Sequence, residues 1–198
     1  LSTICKYIKI PIISNNKTLK EIERLYPELD SSLFRIMPTG ATAVRGDFEV
    51  SSFKSMHDSA ECVGFTLKYG NYKVGVVTDL GECTEDMKAQ LCGCKIVILE
   101  SNHDVNMLWN GSYHYLLKKR VAGPLGHLSN AQCGDLLPCL IKNGTEKVLL
   151  AHLSKENNTP ELAMATVTDR LLQDNIKINE DVVITVAPRD IISPVYSI

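Results

Sequence analysis

No apolar run in this chain approaches the ~20 residues needed to cross a bilayer, so a membrane-spanning helix is not expected. Charge of one sign is also missing: 21 Lys and Arg stand against 23 Asp and Glu, a formal net charge of −2. That balance excludes a strong global field drawing the protein to nucleic acid, so any DNA contact needs a local patch or metal ions. There is no G-x-S-x-G elbow, which leaves a serine hydrolase unsupported. The P-loop and the G-x-G-x-x-G pattern are absent too. Cys92 and Cys94 form a C-x-C, with no second pair at the spacing of a structural zinc site. Seven cysteines, an odd number without framework spacing, read as free thiols in a reducing, cytoplasmic compartment.

What the chain does have is enough apolar material for a core. Of 198 residues, 44% are hydrophobic and 22% charged, which predicts one globular domain over residues 1–198. Leu1, Ile4, Cys5 and Ile8 fall at helical spacing with no N-cap before them, and read as the end of a helix begun upstream. A short strand is expected at Ile12–Ser14. A helix follows over Lys17–Tyr26, with Thr18 as cap and Glu21 completing a capping box. Strands are expected at Phe34–Pro38, Phe48–Ser55, Val63–Tyr69 and Lys73–Thr78, the last two joined by a Gly70–Asn71 hairpin turn. Thereafter helices at Thr84–Leu91, Leu116–Val121, Ser129–Ile141 and Pro160–Gln173 alternate with strands at Lys95–Leu99, Lys147–Ala151 and Asp181–Val186. Strands first, then strands interleaved with helices, predict a layered α/β (α+β) fold with helices packed outside sheets.

Four apolar strands run into loops that open with chemistry-capable side chains. FEVSSFKS leads to His57-Asp58, KVGVVT to Asp79, KIVIL to Glu100-Ser101-Asn102-His103-Asp104, and KVLLA to His152-Leu153-Ser154. Imidazole and carboxylate donors suit zinc, manganese or iron, and rigid strands are how such ligands are usually held in place. A lone histidine is more often a hydrogen-bonded structural residue, but four strand ends behaving alike point to a site. Asp79, bracketed by Thr78 and Gly81 in a tight turn, suits a carboxylate shared by two cations. Ser129 is a natural N-cap for the helix after it, which leaves His127 unexplained by capping. Lys118, Lys119 and Arg120 read as either a solvated helix face or a phosphate-contacting patch. His114, between two tyrosines, reads as local structure.

The strings VTDLG, ESNHDVNML, GHLSN and LAHLS followed by Asn157-Asn158 carry a resemblance. They are similar to the metallo-β-lactamase-fold hydrolases, and within these to the bacterial YycJ/WalJ-like branch of metal-dependent exonucleases. The strings run through most of the chain after Phe48. The resemblance implies an αββα sandwich with two divalent metal ions, zinc or manganese, at the sheet edges. His57, Asp79 and His152 are then the metal ligands, Asp79 bridging. Asp58 and Asn102 are implied partners that orient the two histidines. His103 and His127, with Asp79, become catalytic candidates; Asn102, Asn130, Lys118 and Arg120 become substrate-binding candidates.

The H-x-H-x-D-H motif that defines the superfamily is absent from these residues, and the chain resembles the portion of the fold that follows it. With only three of the expected ligands, each metal is left with about two donors, which implies weak or no metal binding by this polypeptide alone. A sheet lacking the strands that precede it is expected to expose apolar surface, and so to self-associate, swap or belong to a longer chain. The leading expectation is therefore a phosphodiesterase acting on DNA from a 5′ end when complete. A small-molecule hydrolase of the same fold is the second, and a non-catalytic interaction module with an incomplete site is the third.

Overall fold

The structure, a computed structural model, describes residues 7–196; the helix end expected around Leu1–Cys5 lies outside the described residues. Strands β1 (Ile12–Ser14) and β2 (Phe34–Ile36) form a small parallel pair. Between them helix α1 spans Asn16–Leu25. Its cap is Asn15 rather than Thr18: the buried Asn15 side chain accepts from the Thr18 backbone at 2.8 Å and donates to the Glu61 carbonyl at 2.9 Å. Asparagine one turn earlier satisfies the orphan N–H groups, so Thr18 becomes an ordinary helical residue.

The main sheet has seven strands in the order β3 (Thr42–Arg45), β4 (Phe48–Lys54), β5 (Val63–Tyr69), β6 (Tyr72–Val77), β7 (Ile96–Glu100), β8 (Lys147–Ala151) and β9 (Val183–Val186). Neighbours from β3 to β6 are antiparallel, and from β6 to β9 they are parallel. The expected hairpin is there: Tyr69 pairs with Tyr72 across a two-residue turn whose Gly70 adopts φ +56°. Strand β3 is an addition to the sequence reading. Its four residues are all exposed, so no alternation of apolar and polar positions marks it.

The parallel strands are linked by helices α2 (Glu85–Leu91), α3 (Val105–Asn110), α4 (Tyr115–Val121), α5 (Asn130–Lys142) and α6 (Pro160–Gln173). Ser129 caps α5 with a reciprocal capping box to Gln132. His114 caps α4, its Nδ1 accepting from the Leu117 N–H at 3.3 Å. The core lies between one sheet face and the helices. Val77, Val97, Leu99, Val148, Leu150 and Ile184 from the strands meet Leu91, Leu137, Leu140, Val167 and Leu171 from the helices. The other face exposes apolar side chains in its antiparallel half, with Phe65, Leu67 and Val76 at 37%, 41% and 38% of their full accessible area. Among the described residues, no helix is long and apolar enough to cross a membrane.

Candidate metal centre

Parallel strands β6, β7 and β8 end side by side, since Val77 pairs with Leu99 and Glu100 with Ala151. Their next residues therefore emerge at one sheet edge. Asp79 and His152, just beyond β6 and β8, both take φ +57°, the left-handed region that non-glycine residues enter at a cost of about 1–3 kcal/mol. Hydrogen bonds hold both turns. The Asp79 carbonyl accepts from Ser55 Oγ at 2.8 Å, and the His152 carbonyl accepts from Asn102 Nδ2 at 2.8 Å. This backbone turns each side chain across the sheet edge instead of onward along the strand.

His57 arrives from the loop after β4, and His127 from the turn before α5. A Cβ at Gly81 would come within 2.3 Å of the Gly123 carbonyl, and one at Gly126 within 2.1 Å of the Arg120 carbonyl. Only glycine lets the 123–126 turn pack against the loop after Asp79, and that packing delivers His127. The His127 ring then sits between the other two, with centroids 4.9 Å from His57 and 5.3 Å from His152.

Glu100 organises the cluster from below. It is fully buried, and its Oε1 accepts from His127 Nδ1 at 2.7 Å and from His152 Nδ1 at 3.0 Å, while Oε2 accepts from the Leu80 N–H at 2.8 Å. Burial alone would raise its pKa. The histidine and backbone donors outweigh burial and hold it below the usual carboxylate range. The His152 pKa is raised in turn, chiefly by its hydrogen bond to Glu100. On the third histidine, His57 Nδ1 donates to the Gly126 carbonyl at 2.9 Å.

An ionised carboxylate and a carbonyl can only accept, so all three rings carry their proton on Nδ1 and keep a lone pair on Nε2. That is the arrangement of metal-ligating histidines, whose second nitrogen is tied to a carboxylate or carbonyl. The carboxylate they face is Asp79. Its Oδ1 lies 3.8 Å from His57 Nε2, 3.7 Å from His152 Nε2 and 3.8 Å from His127 Nδ1. His57, Asp79 and His127 form one group whose ligand atoms all lie within 4.8 Å of one another, and Glu100, His127 and His152 form another. The donor set thus fits divalent metals that accept mixed nitrogen and oxygen ligation.

The remaining sequence candidates fall outside this cluster. His103 is 2% exposed; its buried Nδ1 has no hydrogen-bond partner, and burial pushes its pKa down to about 4. Asn102 acts through the backbone, tying β7 to the His152 turn. Asn130 is buried and exchanges hydrogen bonds with Asn158 at 2.9 Å in both directions, so its amide is committed inside the protein. Asp58 sits 3.5 Å from His57 Nε2, on the side opposite the nitrogen that Gly126 holds, and pairs with Arg120 at 2.8 Å. Lys118 donates to the Trp109 carbonyl at 2.8 Å. The orienting role of Glu100 was not read from the sequence; its one signal is a carboxylate closing an otherwise apolar strand.

A seven-stranded sheet with helices on one face and a His/Asp/Glu cluster at its edge matches one sheet-and-helix half of the αββα sandwich that the sequence resemblance implies. Comparison with protein-family models finds no match. Curated relatives do match. The chain is 32% identical over 180 residues to exodeoxyribonuclease YycJ of Bacillus anthracis, covering 91% of this chain and 68% of that protein. It is 33% identical over 172 residues to exodeoxyribonuclease WalJ of Streptococcus pneumoniae, covering 86% and 64% respectively. Among solved structures, the metallo-β-lactamase fold protein YhfI of Bacillus subtilis aligns with a TM-score of 0.60 at 13% identity, over 89% of this chain and 62% of that one. The chain belongs to the YycJ/WalJ exodeoxyribonuclease family of metallo-β-lactamase fold proteins, and spans about two thirds of the length of these relatives.

Proposed function

We propose that this chain carries the centre of a metal-dependent phosphodiesterase that removes nucleotides from DNA, working from a 5′ end. The observation that carries the reading is the convergence of three imidazoles on the carboxylate of Asp79, through Nε2 of His57 and of His152 and with His127 Nδ1 3.8 Å from the same oxygen. His57, Asp79 and His152 would hold zinc or manganese, one or two ions, and the metal would supply Lewis-acid stabilisation of charge on the phosphate. Glu100 keeps the His127 and His152 protons on Nδ1 and so keeps both rings ready as donors to a cation. His127, the middle ring, would serve as a further donor to the cation or contact the scissile phosphate. Arg120 and Lys118 lie on α4, with Arg120 beside His57 through Asp58, where backbone phosphates would pass.

His57, Asp79 and His152 alone would leave each of two ions with about two donors. His127 adds to that set, with Glu100 orienting it and His152 from behind, and this supports metal binding by this polypeptide. Six described cysteines are free thiols, which supports a cytoplasmic setting. The exposed Phe65, Leu67 and Val76 support association through the open sheet face. A strictly monomeric, monodisperse chain in light scattering would argue against that. The function itself is tested with manganese and end-labelled duplex DNA, comparing wild type with Asp79→Asn. Nucleotide release abolished by the substitution supports the reading. Release that survives it refutes the metal assignment. Cleavage of p-nitrophenyl phosphodiesters with DNA untouched would assign the site to small substrates.

A further inference from the structure

Beside the metal cluster, outside the carboxyl ends of β8 and β9, lies a cleft of about 570 Å³ that none of the roles above uses. It opens on the helix-covered side of the sheet, for Val186 in its wall packs against the main core. That position matters, because crevices beyond the ends of parallel strands are where open α/β sheets bind ligands. The volume also falls within the range of small-molecule sites, roughly 300–1,000 Å³.

Besides the polar Ser154, Asn158 and Thr159, the lining has two kinds of residue. Leu153, Pro160, Val186 and Pro188 give an apolar slot, while Lys155 and Arg189 stand at its rim. Neither cation has a carboxylate partner among the described residues; Arg189 donates to the Leu153 carbonyl at 2.5 Å and keeps its positive charge unneutralised. The start of α6 is not the anion-attracting feature. Thr159 Oγ1 already accepts from the Leu162 N–H at 3.2 Å, and Glu161 lies in the first turn. His152 lines the same cleft, so the slot and the metal cluster share a wall.

An apolar slot with two unneutralised cations, opening onto a phosphoryl-transfer centre, matches a nucleotide: a flat base for the slot and a phosphate for the cations. We propose that the cleft is the subsite for the terminal nucleotide of the substrate, and that it binds deoxynucleoside monophosphates. The proposal rests on the phosphodiesterase reading for its place in the reaction. Ser154, Asn158 and Thr159 also line the cleft, but their side-chain oxygens already accept from Asn157, Asn130 and Leu162, so the four bases should bind with similar affinity.

The test is titration of dAMP and of deoxyadenosine into the protein in EDTA, followed by amide chemical shifts. Metal-free conditions keep the cation from acting as the ligand. Expected are shifts at Leu153, Val186 and Ala187, and at least tenfold tighter binding of dAMP than of deoxyadenosine. Ala187→Trp, which fills the slot, should weaken dAMP at least tenfold. The double variant Lys155→Glu, Arg189→Glu should remove the preference for the phosphate. No dAMP binding, or binding that both variants leave unchanged while circular dichroism shows them folded, overturns the proposal. DNA release assayed alongside separates the two readings. A protein that binds dAMP in the slot but never hydrolyses DNA overturns the phosphodiesterase reading and leaves the nucleotide site standing.

Discussion

The two halves of the main sheet are built differently and do different things. In the parallel half, β7 and β8 are nearly continuous apolar runs, with Val97, Leu99 and Leu150 at 0% exposure and even Ile96 and Leu149 at 7% and 6%. In the antiparallel half, β5 alternates, and its outward Phe65 and Leu67 remain more than a third exposed. Strands buried on both faces are held rigidly by their neighbours. Glu100 and His152 emerge from such strands, and Asp79 from β6 at the border, where Val77 is buried but Val76 is 38% exposed; from the antiparallel strands comes His57, on a loop pinned by the Gly126 carbonyl. Rigid placement of Glu100 and His152 thus follows from double burial, while the antiparallel half keeps an exposed apolar face.

That contrast is broken most severely at Asp79. Asp79→Asn keeps the shape but removes the charge the three imidazoles face. Its loss of metal-dependent cleavage should exceed the roughly 100-fold typical of residues that only support a ligand, with an unchanged circular dichroism spectrum. Next comes packing. Leu150→Ala in the parallel half should lower unfolding free energy by about 2–5 kcal/mol in urea titrations. Leu67→Ala, 41% exposed in the antiparallel half, should cost no more than about 0.5 kcal/mol. Equal costs at the two positions would erase the distinction between the halves.

A smaller effect is expected at Glu100. Glu100→Gln removes the charge and leaves one acceptor oxygen for the donors of His127, His152 and Leu80, so metal affinity in calorimetric titration should fall about 10- to 100-fold. The smallest effect is at the link between the His57 loop and α4. The Arg120–Asp58 pair has side chains 52% and 33% exposed, so Arg120→Ala should cost at most about 1 kcal/mol. The hydrogen bond from Arg120 holds Asp58 below its ordinary pKa. A depressed carboxylate contributes stability fully above its unfolded value, about 3.9, and loses it as pH falls through the folded value. Wild type and Arg120→Ala should therefore differ at pH 7 and converge in strong acid.

Much of this is legible in the amino-acid sequence itself. The buried strands announce themselves as apolar runs, and α6 begins and ends at the expected Pro160 and Gln173 because proline at its start and a strict apolar spacing mark it. His57, Asp79 and His152 stand out because each ends a strand. Glu100 has the same signal, but its role depends on partners 27 and 52 residues away, which local pattern cannot supply. Burial was illegible in the same way. His103 and Asn130 look like reactive loop residues, yet one is shut in without a partner at Nδ1 and the other is locked to Asn158. Strand β3 and the six-residue α3 escaped notice because one is wholly exposed and the other too short to show a period.

The central claim is that these histidines and Asp79 form one metal-binding cluster, and paramagnetic broadening tests it most directly. Manganese is added to the protein while imidazole resonances are followed by NMR. The account predicts that His57, His127 and His152 broaden together, that His114 does not, and that Asp79→Asn abolishes the effect. Manganese that leaves those three rings sharp, or broadens them equally in Asp79→Asn, would contradict it.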